Sequence, residues 1–228
     1  MYLNYESKHY AFHYISGSQA ERDIQTICLS QEECFSNITK TLNVVFPLKI
    51  HYWLCDSPEE VGRIYGDNEP CNGFAHEPDT IYAVYNEEIK CIGPHEDAHL
   101  ISYMIAKPAS AFVREGLAMF FDKTWWGEPN EVWVKRFLEE RSMPSIQSLL
   151  SDNCFFEHDC SITYPIAGAF TKYLIEEYGL ASYLKLYKYK GLEWDSAFMD
   201  FLGKDIEKTE MDFCLACKDE CVSRRDKF

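Results

Sequence analysis

Gly93-Pro94-His95-Glu96-Asp97-Ala98-His99-Leu100-Ile101 is the stretch on which the reading of this chain turns. Pro94 fits the first position of a helix, where its missing N–H costs nothing, and Gly93 lets the backbone turn into it. The helix is expected to run from His95 to about Ala106 and to stop before Pro108, whose ring disfavours a helical residue ahead of it. Ala98, Leu100, Ile101, Met104 and Ile105 suit a helix buried on most sides. Histidines four apart share a helical face, so His95 and His99 can offer both imidazoles to one ion, with Glu96 beside them to polarise a water. The ion that this arrangement suits is a catalytic Zn2+.

A catalytic zinc takes three protein ligands and keeps a fourth position for water. The next helix, with Ser110 as its expected N-cap, reads Phe112-Val113-Arg114-Glu115-Gly116-Leu117-Ala118-Met119-Phe120-Phe121-Asp122. Glu115 is a carboxylate in a strongly apolar run, where burial is costly unless the group is paired or bound to metal.

His95-Glu96-Asp97-Ala98-His99, followed after fifteen residues by Glu115-Gly116-Leu117-Ala118, resembles the gluzincin branch of the zincins, in particular the peptidase MA-like proteins. Tyr164-Pro165-Ile166-Ala167-Gly168-Ala169-Phe170, then Tyr173-Leu174 and Tyr178-Gly179, are similar in order to that family's helical second half. The resemblance implies that Glu115 is the third zinc ligand and that the fold is α+β and zincin-like. It also implies a metallopeptidase that hydrolyses peptide bonds with a zinc-activated water, Glu96 being the general base that hands the proton to the leaving amine. Tyr164 is the implied donor to the developing oxyanion, with His158 the other candidate. A tyrosine packed between helices is the competing reading of Tyr164.

The chain departs from the family pattern twice. Asp97 stands where an uncharged residue is usual and is expected to point away from the metal. Met119 stands where many gluzincins place an aspartate that orients the first histidine. A partner for that histidine is expected on physical grounds, from Asp97, Asp122 or a backbone carbonyl.

The chain has 228 residues, 46% of them hydrophobic and 15% aromatic. A chain of this size buries about 70% of its unfolded surface and needs no staple. A formal charge of −15 and a pI near 4.9 argue against nucleic acid as a partner, since phosphate binding needs a basic face. No apolar run reaches membrane-spanning length and the first sixteen residues have no apolar signal core, so a cytoplasmic protein with no membrane partner is expected. Peptide or protein is the expected substrate. The ten cysteines are expected to be reduced in that setting, although Cys154 and Cys160 bracket a loop and could pair under oxidation. Cys214, Cys217 and Cys221 share a helical face and read as small buried hydrophobes.

Upstream of the zinc helix, the period of two in Lys8 to Ile15 predicts a strand and Gln19 to Leu42 a long amphipathic helix. Leu48 to Cys55 reads as a second strand, and Ser57-Pro58-Glu59-Glu60 as a helix start. Short strands are expected near Gly73–His76 and Thr80–Val84, and Gly73 to Ala75 is the candidate edge against which an extended substrate could pair. His9 and His13 have metal-ligand spacing, but on a strand, and His51 and His76 have no partner in the sequence. The expected organisation is an N-terminal mixed sheet with the zinc helices over residues 1–127 and a mostly helical lobe over 128–228. Two other classes stay open: a catalytically inactive zincin-like metal-binding or protein-interaction module, and a metal-free structural protein.

Overall fold

The computed structural model describes residues 1–219. It is an α+β protein with a mixed N-terminal sheet and a helical C-terminal part. The chain divides into two compact units, Met1–Ile105 and the part from Ala106 onward. The division falls earlier than the expected point after Gly127. The reason is that the helix carrying Glu115 packs within the second unit, as described below.

The first unit is built on β1 (Tyr2–Glu6), β2 (Tyr10–Ile15), β3 (Ile50–Cys55), β4 (Gly73–His76) and β5 (Thr80–Val84), in the order β1-β2-β3-β5-β4. β1 and β2 form an antiparallel hairpin, β2-β3 and β3-β5 pair parallel, and β4 runs antiparallel to β5 at the edge. Tyr10, Phe12, Ile50, Tyr52, Leu54, Ile81 and Ala83 are all buried, the alternate residues that one sheet face must present to a core. Helix α1 (Gln19–Leu42) covers them with Ala20, Ile24, Ile27, Cys28, Gln31, Phe35, Ile38 and Leu42, a stripe at helical spacing. Ser18 caps α1 by accepting from the amide of Glu21 at 3.3 Å, Glu21 accepts from Gly17 N at 2.5 Å, and Asn43 ends the helix at φ 51°.

Helix α2 (Pro58–Tyr65) starts as its sequence dictates, with Ser57 accepting from Glu60 N at 3.3 Å and Pro58 in the first turn. Helix α3 (Pro94–Tyr103) carries the two histidines of the motif and ends short of the expected Ala106. Gly93 enters it at φ 141°, a conformation that favours glycine.

The second unit holds α4 (Ala111–Asp122), a hairpin of β6 (Thr124–Trp125) and β7 (Glu128–Pro129), and then α5 (Asn130–Glu140), α6 (Ile146–Leu149), α7 (Asp152–Glu157), α8 (Cys160–Tyr178), α9 (Leu180–Tyr187), α10 (Trp194–Leu202) and α11 (Ile206–Asp219). Trp126 and Gly127 turn the hairpin with φ of 51° and 78°, both in the left-handed region that tight hairpins require. Helix α8 begins before Pro165, which lies fully inside it. Ser110 does not cap α4 through its side chain. The amide of Ala111 donates instead to Asp152 Oδ1 at 2.6 Å, so the cap comes from α7.

Helices α4 and α8 lie against each other through glycines on both sides. A Cβ on Gly116 would stand 2.4 Å from Thr171 Oγ1 and 2.9 Å from the Ala167 carbonyl, and one on Gly168 would stand 2.6 Å from Met119 Cβ. The absence of two side chains therefore sets the approach of these helices.

Cys28, Cys55, Cys71, Cys154, Cys160 and Cys214 are free thiols, and burial pushes Cys55 up to about 12. Cys214 and Cys217 lie on α11, half-buried and buried, while Cys221 lies outside the described residues. No helix among the described residues is long and apolar enough to cross a membrane.

Candidate metal centre

Helix α3 places its side chains by turn geometry. His95 and His99 follow each other on one face, with ring centroids 5.0 Å apart and planes at 81°. Asp97, two residues on, points the other way. One ligand atom from each of His95, His99 and Glu115 lies within 4.8 Å of the other two. His99 is buried, and His95 and Glu115 are half-buried. Two imidazoles and a carboxylate are the donor set of many catalytic zinc ions. Bonds of about 2.0–2.2 Å place tetrahedral ligands about 3.3–3.6 Å apart, so a group within 4.8 Å could hold one ion.

Asp97 shows how α3 is held. It is fully buried, and its Oδ2 accepts from Tyr10 Oη at 2.6 Å and from Gln31 Nε2 at 3.0 Å. The other proton of Gln31 Nε2 goes to the Gly93 carbonyl at 3.0 Å, at the residue that leads into the helix. Gln31 is itself fully buried, so one amide from α1 and one phenol from β2 fix the first turns of α3. Burial pushes the Asp97 carboxyl well above the usual range, with the neighbouring Glu96 adding to it and the Tyr10 and Gln31 hydrogen bonds opposing. Burial and the nearby Asp97 likewise push the Tyr10 phenol well up. Asp97 is thus bonded to the core on the side of α3 away from the imidazoles.

Glu96 lies beside the sheet edge. A Cβ on Gly73, the first residue of β4, would stand 3.5 Å from Glu96 Oε1, 3.3 Å from Cys91 Sγ and 3.2 Å from the Tyr82 carbonyl. The missing side chain leaves room for the carboxylate at an edge strand, β4, which pairs only with β5 among the described residues.

Glu115 is placed by its neighbour Gly116. Because Gly116 lets the α8 backbone come close, α4 is fixed in rotation and Glu115 with it. Met119 is fully buried against Gly168, and its carbonyl accepts from Asn130 Nδ2 at 3.0 Å. Tyr164 is half-buried, its ring 5.5 Å from that of Trp125 and 6.0 Å from that of Phe155. His158 is exposed at the end of α7, and His76 is exposed on β4. The residues that sequence reasoning missed are Tyr10 and Gln31, whose role depends on contacts far apart in the chain. No family model matches the chain and no curated protein matches it in sequence.

Proposed function

We propose that the chain is a zinc metallopeptidase of gluzincin type, a peptidase MA-like protein on a zincin-like fold, acting on a peptide or protein substrate. The observation that carries this reading is the convergence of His95, His99 and Glu115, separate in sequence, to within 4.8 Å. Zinc, when bound there, supplies a Lewis acid that makes water nucleophilic near neutral pH and polarises the scissile carbonyl.

The remaining steps belong to side chains. Glu96 sits next to His95 in the chain and takes the proton released as water attacks, then delivers it to the leaving nitrogen. Strand β4 offers its outer backbone groups to an extended peptide, which then adds to the sheet as a further strand. Gly73 keeps that edge open opposite Glu96. Tyr164 is the proposed hydroxyl donor to the oxygen on which negative charge builds.

The test begins with elemental analysis of protein purified without added metal. One zinc per chain, lost in His99→Ala, is expected, together with cleavage of a peptide library that Glu96→Gln abolishes while zinc is retained. Absence of zinc after the metal is offered back overturns the reading. A second reading is a zincin-like module that holds the ion without turnover, favoured by the apolar packing of Met119 where an orienting acid is expected. It predicts zinc binding with no cleavage.

A further inference from the structure

His51 has no partner in the sequence, and the sheet gives it one. In the antiparallel pairing Asn4 stands opposite His13, and in the parallel pairing Ala11 stands opposite His51 and His13 opposite Trp53. Asn4, His13, His51 and Trp53 therefore share the face of the sheet that α1 does not cover. His13 Nε2 lies 3.0 Å from His51 Nδ1, and His13 Nδ1 lies 2.8 Å from Asn4 Oδ1. His13 also stacks on Trp53 at 4.2 Å.

We propose that His13 Nε2 and His51 Nδ1 form a two-imidazole site for a divalent transition metal of the copper, nickel or zinc type, separate from the His95, His99 and Glu115 group. Asn4 Oδ1 can only accept, so it keeps a proton on His13 Nδ1 and leaves the lone pair on Nε2, the tautomer a ligand needs. His13 is the fixed ligand, held by Asn4 and by the Trp53 ring. His51 is exposed and is the ligand that turns.

In the metal-free protein the His51 Nδ1 proton points at His13 Nε2. On binding, that proton leaves to water and Nε2 of the same ring takes one up, so His51 stays neutral and presents its Nδ1 lone pair. With metal–nitrogen bonds of about 2.0 Å, neighbouring ligands stand about 2.8 Å apart in a square-planar ion and about 3.3 Å apart in a tetrahedral one. The observed 3.0 Å falls between them. Glu6, on the same face of β1, adds negative charge that Lys49, 2.9 Å from it, partly offsets. Two nitrogens with water in the other positions favour Cu2+ over Zn2+ by the general order of divalent affinities.

The test titrates Cu2+ alone into the full chain, following tryptophan fluorescence and the Cu2+ electron paramagnetic resonance spectrum, with bound metals counted by elemental analysis. Beyond the ion that His95, His99 and Glu115 take, the expected result is one Cu2+ with two nitrogen ligands that quenches emission through the adjacent Trp53, at least tenfold weaker in His51→Gln and in His13→Gln. The same loss in His51→Gln is expected when His99→Ala has already removed the other site. His51 is exposed, so its variant keeps the unfolding midpoint of the parent. Equal Cu2+ affinity in parent and His51→Gln, or a spectrum with oxygen ligands only, would overturn the proposal.

Discussion

Tyr10 Oη stands 2.6 Å from Asp97 Oδ2, a hydrogen bond between residues 87 apart in the chain that ties the second strand to the helix of the two histidines. With Gln31 bonded to the same oxygen, the core holds a small polar network at the base of α3. Asp97→Ala strands one Gln31 proton away from water, at about 1–3 kcal/mol, and leaves the Tyr10 hydroxyl with only the Gln31 carbonyl, 3.0 Å away, as its acceptor. Asp97→Asn keeps an acceptor oxygen there and is expected to cost less than half as much. Urea unfolding of the two variants measures the difference, and equal losses would show that the network contributes nothing beyond packing.

Gly116→Ala puts a methyl group 2.4 Å from Thr171 Oγ1 and 2.9 Å from a backbone carbonyl of α8. The Thr171 side chain can be cut back, whereas the Ala167 carbonyl cannot. Gly116→Ala is expected to destabilise the protein by about 1–3 kcal/mol, as overpacking does, and to weaken zinc retention by displacing Glu115. Adding Thr171→Ala should recover part of the stability and little of the zinc. Thermal unfolding together with metal analysis reads both, and full recovery of zinc would show that the helix approach does not position Glu115.

What was legible in the sequence was whatever is fixed within a few residues. Gln19–Leu42 has the boundaries its periodicity predicts, because its cap, its apolar stripe and its stop all lie within the segment. Ser57 and Pro58 start α2 for the same reason. Strand β1 was missed because Tyr2–Glu6 carries no strong apolar alternation and is specified by pairing with β2. Pro165 sits inside α8, where its lost hydrogen bond is tolerated because the helix is buried on α4. Ser110 looked like a cap, and Asp152 took the role from another helix. In the candidate site, the four-residue spacing singled out His95 and His99, whereas Glu115 was suggested by a carboxylate in an apolar run and by the family resemblance. The partners of Asp97 and of His51 depend on strand register, which a linear pattern does not contain.

Glu32 gives the protein an acid-sensitive contact. Burial raises its pKa, but hydrogen bonds from the Ser7 hydroxyl at 2.7 Å, the His9 amide at 2.9 Å and the His9 ring outweigh it, so the net shift is downward. A carboxylate whose folded value is lowered stabilises the fold above its unfolded value and loses that stabilisation as pH falls through the folded value. The stability gap between the parent and Glu32→Gln is therefore expected to be full near pH 6 and to shrink as pH falls below about 4.5. Urea midpoints across that range test it, and a gap that widens on acidification would refute the sign.

Glu96 and Gly73 allow the proposed chemistry to be separated from metal binding. Glu96→Gln keeps the shape of the side chain and removes its basicity, so peptide cleavage should fall by about 100- to 10,000-fold, the usual worth of a general base, with zinc content unchanged. Gly73→Leu acts from the other side. Its side chain would start 3.5 Å from Glu96 Oε1 and occupy the space between the strand edge and the carboxylate. Cleavage is expected to drop with zinc again retained, and KM is expected to rise, because the substrate strand is displaced as well as the base. If Gly73→Leu cleaves as well as the parent, peptide does not pass along β4 beside Glu96. The edge-strand part of the proposal then fails even where the zinc site stands.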